Sequence, residues 1–228
     1  MSKAYRFFGS GIGVLVLATA IAGSTRAADL RSELLAGYAG GPGGQINLTA
    51  YHFVENSQLG IRFGMGYAIL SPGDAIMARR IFINNADNGT PEKAGHAFTW
   101  RMDFLGPTAS HNGVGWSLYG GPRYSRFTAN FAYVGGNEDF DVRAHQWGLG
   151  GGADYCAPIN DEVSLRLSGG ADYYFRSTLE GHTTSYSPDN DNVNPHEDYK
   201  YADAAAAINQ PGLQLRCLAG VQFRLGAH

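Results

Sequence analysis

The thirteen residues Leu213–Leu225 constrain this chain more than any other stretch. Every second residue is apolar: Leu213, Leu215, Cys217, Ala219, Val221, Phe223 and Leu225. The interleaved set, Gln214, Arg216, Leu218, Gly220, Gln222 and Arg224, is mostly polar. A period of two puts these sets on opposite faces of a β-strand, so the strand separates two different solvents. Soluble strands usually run about 5–6 residues. A run of this length instead fits the roughly 9–11 residues with which a tilted strand crosses a bilayer. It predicts the last strand of a membrane barrel, provided the rest of the chain supplies the others.

Seven more alternating runs precede it, over residues 33–39, 45–53, 58–70, 95–105, 114–133, 140–157 and 162–177. The third shows the pattern well. Leu59, Ile61, Phe63, Met65, Tyr67 and Ile69 share one face, and Gly60, Arg62, Gly64 and Gly66 share the other. In the fifth, Gly120-Gly121-Pro122 suggests a bulge, and residues 127–133 read as an extension beyond the membrane. Connections after the second, fourth and sixth runs are short, and those after the third, fifth and seventh are long; the one after the first is also short. This asymmetry and the even strand number predict an all-β fold: an eight-stranded antiparallel up-and-down transmembrane β-barrel with long outer loops. A soluble β-sandwich would not alternate its connections in this way. A soluble lipocalin-like barrel would turn its apolar face inward around a ligand.

The polar parity predicts a lumen network of Arg62, Arg101, Asp103, Asp154, Arg166, Asp172, Arg176, Arg216 and Arg224. Eight strands enclose a space that side chains fill, so these charges are expected to pair into a plug. Basic groups outnumber acidic ones, so the competing reading is a narrow, porin-like solute path with an anion preference. On the apolar parity, Phe104, Trp116, Tyr155 and Phe223 fall near one end of the strands. Tyr67, Tyr124, Tyr173 and Phe175 fall near the other, as two interfacial girdles would.

On this pattern the mature chain resembles the small eight-stranded outer-membrane barrels, such as the OmpA transmembrane domain and OmpX. The resemblance covers strand order and loop asymmetry and carries no diagnostic motif. It implies a bacterial outer-membrane location, contact with outer-membrane lipids and lipopolysaccharide, and delivery by the barrel-assembly machinery. Barrels of this kind commonly end on an aromatic residue, whereas here Phe223 is followed by Arg-Leu-Gly-Ala-His. Some relatives are lipid A enzymes with a His-x-Ser pair and an acidic partner. The nearest pair here is His182 and Ser185, at a different spacing and within a loop, so a lipid A-modifying activity is the alternative to a structural or adhesin-like surface role.

The N-terminus reads as a secretory leader over residues 1–27, with residues 28–228 as the barrel domain. Lys3 and Arg6 precede an apolar core over residues 9–22, and Thr25-Arg26-Ala27 is a small-x-small cleavage site. Removing it leaves 14 basic against 20 acidic residues, a net charge of −6, which argues against nucleic acid as a partner. Export permits disulfides, but Cys156 falls on the lumen parity and Cys217 on the lipid parity, so two free thiols are expected.

Candidate ligand-binding chemistry is confined to the loops. Asp74 follows Pro72-Gly73 and is placed to cap a short helix reaching Arg80. Asp189, Asp191, Glu197 and Asp198 are the weak candidates for a calcium site, without the glycine and glutamate spacing of an EF-hand. No motif calls for a cofactor. Any extracellular ligand is expected at segments 71–94, 125–140 and 178–211, and a monomer is expected.

Overall fold

A computed structural model describes residues 29–51, 59–86, 88–107, 109–111, 114–196 and 198–225. The leader, the turn at Glu55-Asn56-Ser57 and the candidate ligand Glu197 lie outside them. Eight strands close into a barrel: β1 (Asp29–Ala39), β2 (Pro42–Tyr51), β3 (Gly60–Leu70), β4 (Thr90–Leu105), β5 (Val114–Val134), β6 (Asp139–Pro158), β7 (Val163–Tyr174) and β8 (Leu213–Leu225). Each pairs antiparallel with its sequence neighbour, and β8 closes on β1 from Leu30↔Leu225 to Ala39↔Arg216. The expected bulge in β5 is absent. The β5–β6 register stays constant from Gly115↔Cys156 to Ala132↔Asp139. Pro122 has no N–H to donate, and the β4–β5 ladder skips Met102 and Asp103 without shifting.

The strands are unequal in height. β4, β5 and β6 have 16, 21 and 20 residues, and their outer ends stand above a rim where β1, β2, β3, β7 and β8 have already stopped. Segment 125–140, named as a possible ligand-bearing segment, is therefore mostly paired strand, as the extension over 127–133 implies, with its turn at Gly135–Glu138. Residues 90–94 also join β4, pairing with β5 from Thr90↔Val134 to Ala94↔Asn130. They show no period-two signal because both of their faces are exposed.

Within the membrane section the wall is inside out. Leu118 is 70% exposed, Trp147 65% and Leu215 64%, while Arg62, Asp103 and Asp154 are buried in the lumen. Outward rings form two bands. Trp100, Tyr124 and Trp147 touch in sequence at 5.6 and 5.2 Å, and at the opposite end Trp116 meets Tyr155 at 5.0 Å. Cys217 points outward, Cys156 is half-buried, and both are free thiols.

Above the membrane section the polarity reverses. The inward row of β5 runs Ser117, Tyr119, Arg123, Ser125 and then Phe127, Ala129, Phe131, Tyr133. Its outward row runs Trp116, Leu118, Tyr124 and then Arg126, Thr128, Asn130. β6 makes the same change, with Phe140, Val142 and Ala144 inward and Asp141, Arg143 and His145 outward. Two helices fill the space behind these apolar rows: α1 (Ala75–Phe82) and α2 (Tyr201–Ala207). Together with Leu179, Tyr186 and Ile208 they form one buried apolar cluster above the lumen. Asp74 caps α1, accepting from the Met77 N–H at 3.0 Å.

Candidate functional site

The lumen charges converge because the inward parity of every strand ends at the same axis. Arg62 on β3 sits at the centre, with its side chain fully buried. Its guanidinium donates to Asp154 at 2.7 Å and to Asp103 at 2.8 and 3.0 Å, and lies 3.7 Å from Glu33. Arg166 donates to the same Asp154 oxygen at 2.7 Å and lies 3.5 Å from Glu33. Nearer the outer rim, Arg123 bridges Asp103 and Asp172, both at 2.7 Å. Arg101 joins Asp103 at 3.0 Å, and Arg216 joins Asp172 at 2.8 Å. Five guanidinium groups thus meet four carboxylates in a continuous lattice, leaving one net positive charge.

Neutral groups complete it. Tyr119 on β5 presents its ring to Arg62, Arg101 and Arg216 at 4.5, 5.4 and 5.5 Å. Its hydroxyl accepts from Arg216 at 2.8 Å and donates to the Gly169 carbonyl at 3.0 Å. The ring fits because Gly152 and Gly170 face it; a Cβ on either would meet the phenol oxygen and the neighbouring backbone. Gln45, Asn47 and Gln222 tie Arg101 and Glu33 into the same array, so all eight strands contribute. Charges this far from water are tolerated only when each is paired and hydrogen-bonded, and removing one partner strands the rest.

Arg62, Arg101, Asp103, Asp154, Arg166, Asp172 and Arg216 are brought together in this lattice. Arg176 and Arg224 are not, which corrects the expectation for both. β7 ends at Tyr174, so Arg176 lies beyond the barrel, exposed, beside His145 and Thr178. Arg224 sits at the rim opposite the head, half exposed, 3.3 Å from Asp29. Both errors come from extending a parity past the point where the wall has a sealed interior. Arg123, Tyr119 and Gln45 were missed. Arg123 and Tyr119 share the parity opposite Trp116 and Tyr124, a signal hidden by reading Gly120-Gly121-Pro122 as a bulge.

Above the lattice a void of about 20 Å³ remains, between Gln45, Arg101, Asp172, Tyr174, Arg216 and Leu218. That is room for about one water molecule. The apolar head then covers the lumen. Arg79 of α1 donates to the Asn88 carbonyl and side chain, both at 2.7 Å, stacks 4.5 Å over Tyr133, and lies 3.7 Å from Glu138 of the hairpin turn. The Tyr133 hydroxyl donates to the Ala75 carbonyl and that of Tyr186 to the Ile81 carbonyl at 3.1 Å. α2 is tied to the start of α1 by the Asp74 N–H, which donates to the Ala207 carbonyl at 2.8 Å. Burial pushes the phenols of Tyr133 and Tyr186 above their ordinary value of 10.0, against the opposing pull of Arg79 and of the His196 N–H.

The remaining candidates lie on the head. His182 is exposed in the turn between the two-residue strands Leu179–Glu180 and Ser185–Tyr186. Ser185 is held through its backbone to Val193, and no hydrogen bond joins it to His182 among the described residues. Asp189, Asp191 and Asp198 are all exposed; Asp189 accepts from the Asp191 N–H at 3.2 Å. Among the described residues no three His, Cys, Asp or Glu side chains converge on a metal-sized point.

No protein-family model and no curated protein sequence matches the chain. Among solved structures, a major outer membrane protein from Thermus thermophilus is similar with a TM-score of 0.70. It is 24% identical and covers 88% of this chain and 100% of that one. Neisserial surface protein A is 13% identical over 87% of this chain and 97% of that one, with a TM-score of 0.39. The fold of this chain is that of the small eight-stranded outer-membrane barrels, and its apolar outer wall is built to face the hydrocarbon of a membrane.

Proposed function

We propose that this protein is a closed, non-catalytic outer-membrane barrel whose work is surface contact, performed by the ordered head. One observation carries the reading: the lumen is filled by an ion-pair lattice and then covered by a separately cored head. A solute path would have to break both, whereas a platform for contact gains from both, because rigid elements hold exposed side chains in fixed positions. The contact surface is the outward face of the head, around the turn Gly135–Glu138 and the loop from Pro188 to His196.

The test combines two measurements on the mature protein. Planar bilayers containing it should show no unitary conductance steps. Beads coated with it should adhere to cell layers or to one another, and should lose adhesion when residues 135–138 and 188–196 are replaced by Gly and Ser. The heat-dependent gel shift of the folded barrel should be unchanged. Discrete conductance, or adhesion indifferent to both replacements, would overturn the proposal. Lipid A mass should be the same in cells expressing the protein and its His182→Ala variant; a mass change that needs His182 would make the chain an enzyme.

A further inference from the structure

The reversal of polarity in β5 and β6 places a guanidinium and an imidazole where a lipid headgroup lies. Arg126 and His145 are the first outward residues above the aromatic band of Trp100, Tyr124 and Trp147. They are direct cross-strand partners. The Tyr124 hydroxyl is hydrogen-bonded to His145 Nδ1 at 2.9 Å, which fixes the imidazole above the band. Arg176, displaced from the lumen, lines an outward groove with His145.

What distinguishes this patch is the lack of partners. On the rest of the wall and at the hairpin turn, arginines are matched: Arg31 and Arg224 by Asp29, Arg79 by Glu138, Arg143 by Asp141. Partial burial works to raise the Asp141 carboxyl, but donation from Asn130 and Arg143 outweighs it and holds the group below its ordinary value. It thus stays ionised and keeps Arg143 occupied. Among the described residues of the wall and its rim, Arg126 and Arg176 form no ion pair, although both are exposed. The cross-strand neighbours of Arg126 are Phe98 and His145, neither of which is acidic. Glu180 and Asp189 also line the Arg176 groove, and Glu180 stands across from Arg143 on the neighbouring strand.

We infer that Arg126, His145 and Arg176 hold the anionic phosphate of an outer-leaflet lipid whose acyl chains lie along Trp147 and Leu149. A guanidinium matches a phosphate in charge and in paired donors, and at an interface it is desolvated enough for the match to count. The apolar wall directly below is already covered by lipid, so occupancy needs only that the headgroup chosen be anionic. The inference concerns the wall and stands apart from the contact role of the head.

The experiment uses the full mature barrel in micelles with equal phosphatidylglycerol and phosphatidylcholine, and reads retained lipid by native mass spectrometry. The wild type is expected to retain phosphatidylglycerol preferentially. The double variant Arg126→Gln, Arg176→Gln should lose about tenfold of that preference, or about 1.4 kcal/mol. Arg126→Lys, which keeps the charge, should retain most of it. Arg80→Gln removes an exposed arginine from α1, away from the wall, and should change nothing. Three results would overturn the inference. One is an unchanged preference in the double variant. Another is an equal loss in Arg80→Gln, which would mean diffuse charge. The third is full displacement by millimolar inorganic phosphate, which would mean a free-anion site.

Discussion

The membrane section and the head are made by the same strands and obey opposite rules. Below Ser125 the inward face of β5 carries Arg123 and Tyr119 and the outward face Leu118 and Trp116. Above it the inward face carries Phe127 and Phe131 and the outward face Arg126 and Asn130. Nothing in the backbone changes, since the register runs through without a break. What changes is the solvent outside. Where hydrocarbon surrounds the wall, charge is driven to the axis. Where water surrounds it, apolar side chains take that place. The lumen lattice and the head core therefore depend on different forces, and perturbations should separate them.

The largest effect is expected from Arg62→Met. It leaves Asp154, Asp103 and Glu33 without their shared cation, at a cost of about 3–5 kcal/mol. Urea unfolding of the whole barrel should shift accordingly. A head that opened while the barrel held would contradict the division. Leu179→Ala, in a fully buried site of the head, should cost about 2–5 kcal/mol there alone. Protease should then cut the head while the heat-dependent gel shift of the barrel persists. Loss of both together would join the two regions into one cooperative unit. The boundary between them is probed by one strand face. Leu118→Arg places a charge against hydrocarbon and should impair assembly by about 2–4 kcal/mol. Thr128→Arg, on the same face of β5 but above Arg126, should be nearly neutral, and equal effects at the two positions would erase the boundary. The mildest perturbation is alkali. Tyr133 and Tyr186 titrate above their unfolded value, so the stability they confer is complete below pH 10.0 and is lost as pH rises through their folded values. Protease access to the head should rise there before the barrel unfolds.

The wall was legible in the sequence because two solvents impose a period of two, and each lipid-facing row announces itself without knowledge of its neighbours. Seven of the lumen charges followed from the opposite parity. The lattice itself did not, because its hub, Tyr119, is an ordinary aromatic by type and becomes a hub only when eight strands meet. The head was the least legible. Its core is assembled from α1, the 179–186 segment and α2, each offering only a few apolar residues, and their packing partners on β5 and β6 are distant in sequence. Yet one trace was present. In β5 the apolar parity passes from Trp116, Leu118 and Tyr124 to Phe127, Phe131 and Tyr133, and this change of phase marks where the strand leaves the bilayer.

That change of phase also acts as a ruler. From Trp116 to Arg126 the outward row spans ten residues, about 33 Å along an extended strand and about 25 Å of depth at a typical barrel tilt. A thicker membrane would draw Arg126 into hydrocarbon, and a thinner one would leave Leu118 and its neighbours in water. Neither end can slide, because the residues beyond Arg126 are committed to the head. The protein is therefore gauged to one bilayer thickness, and it should gather in the thinner patches of a membrane or thin the lipid around it.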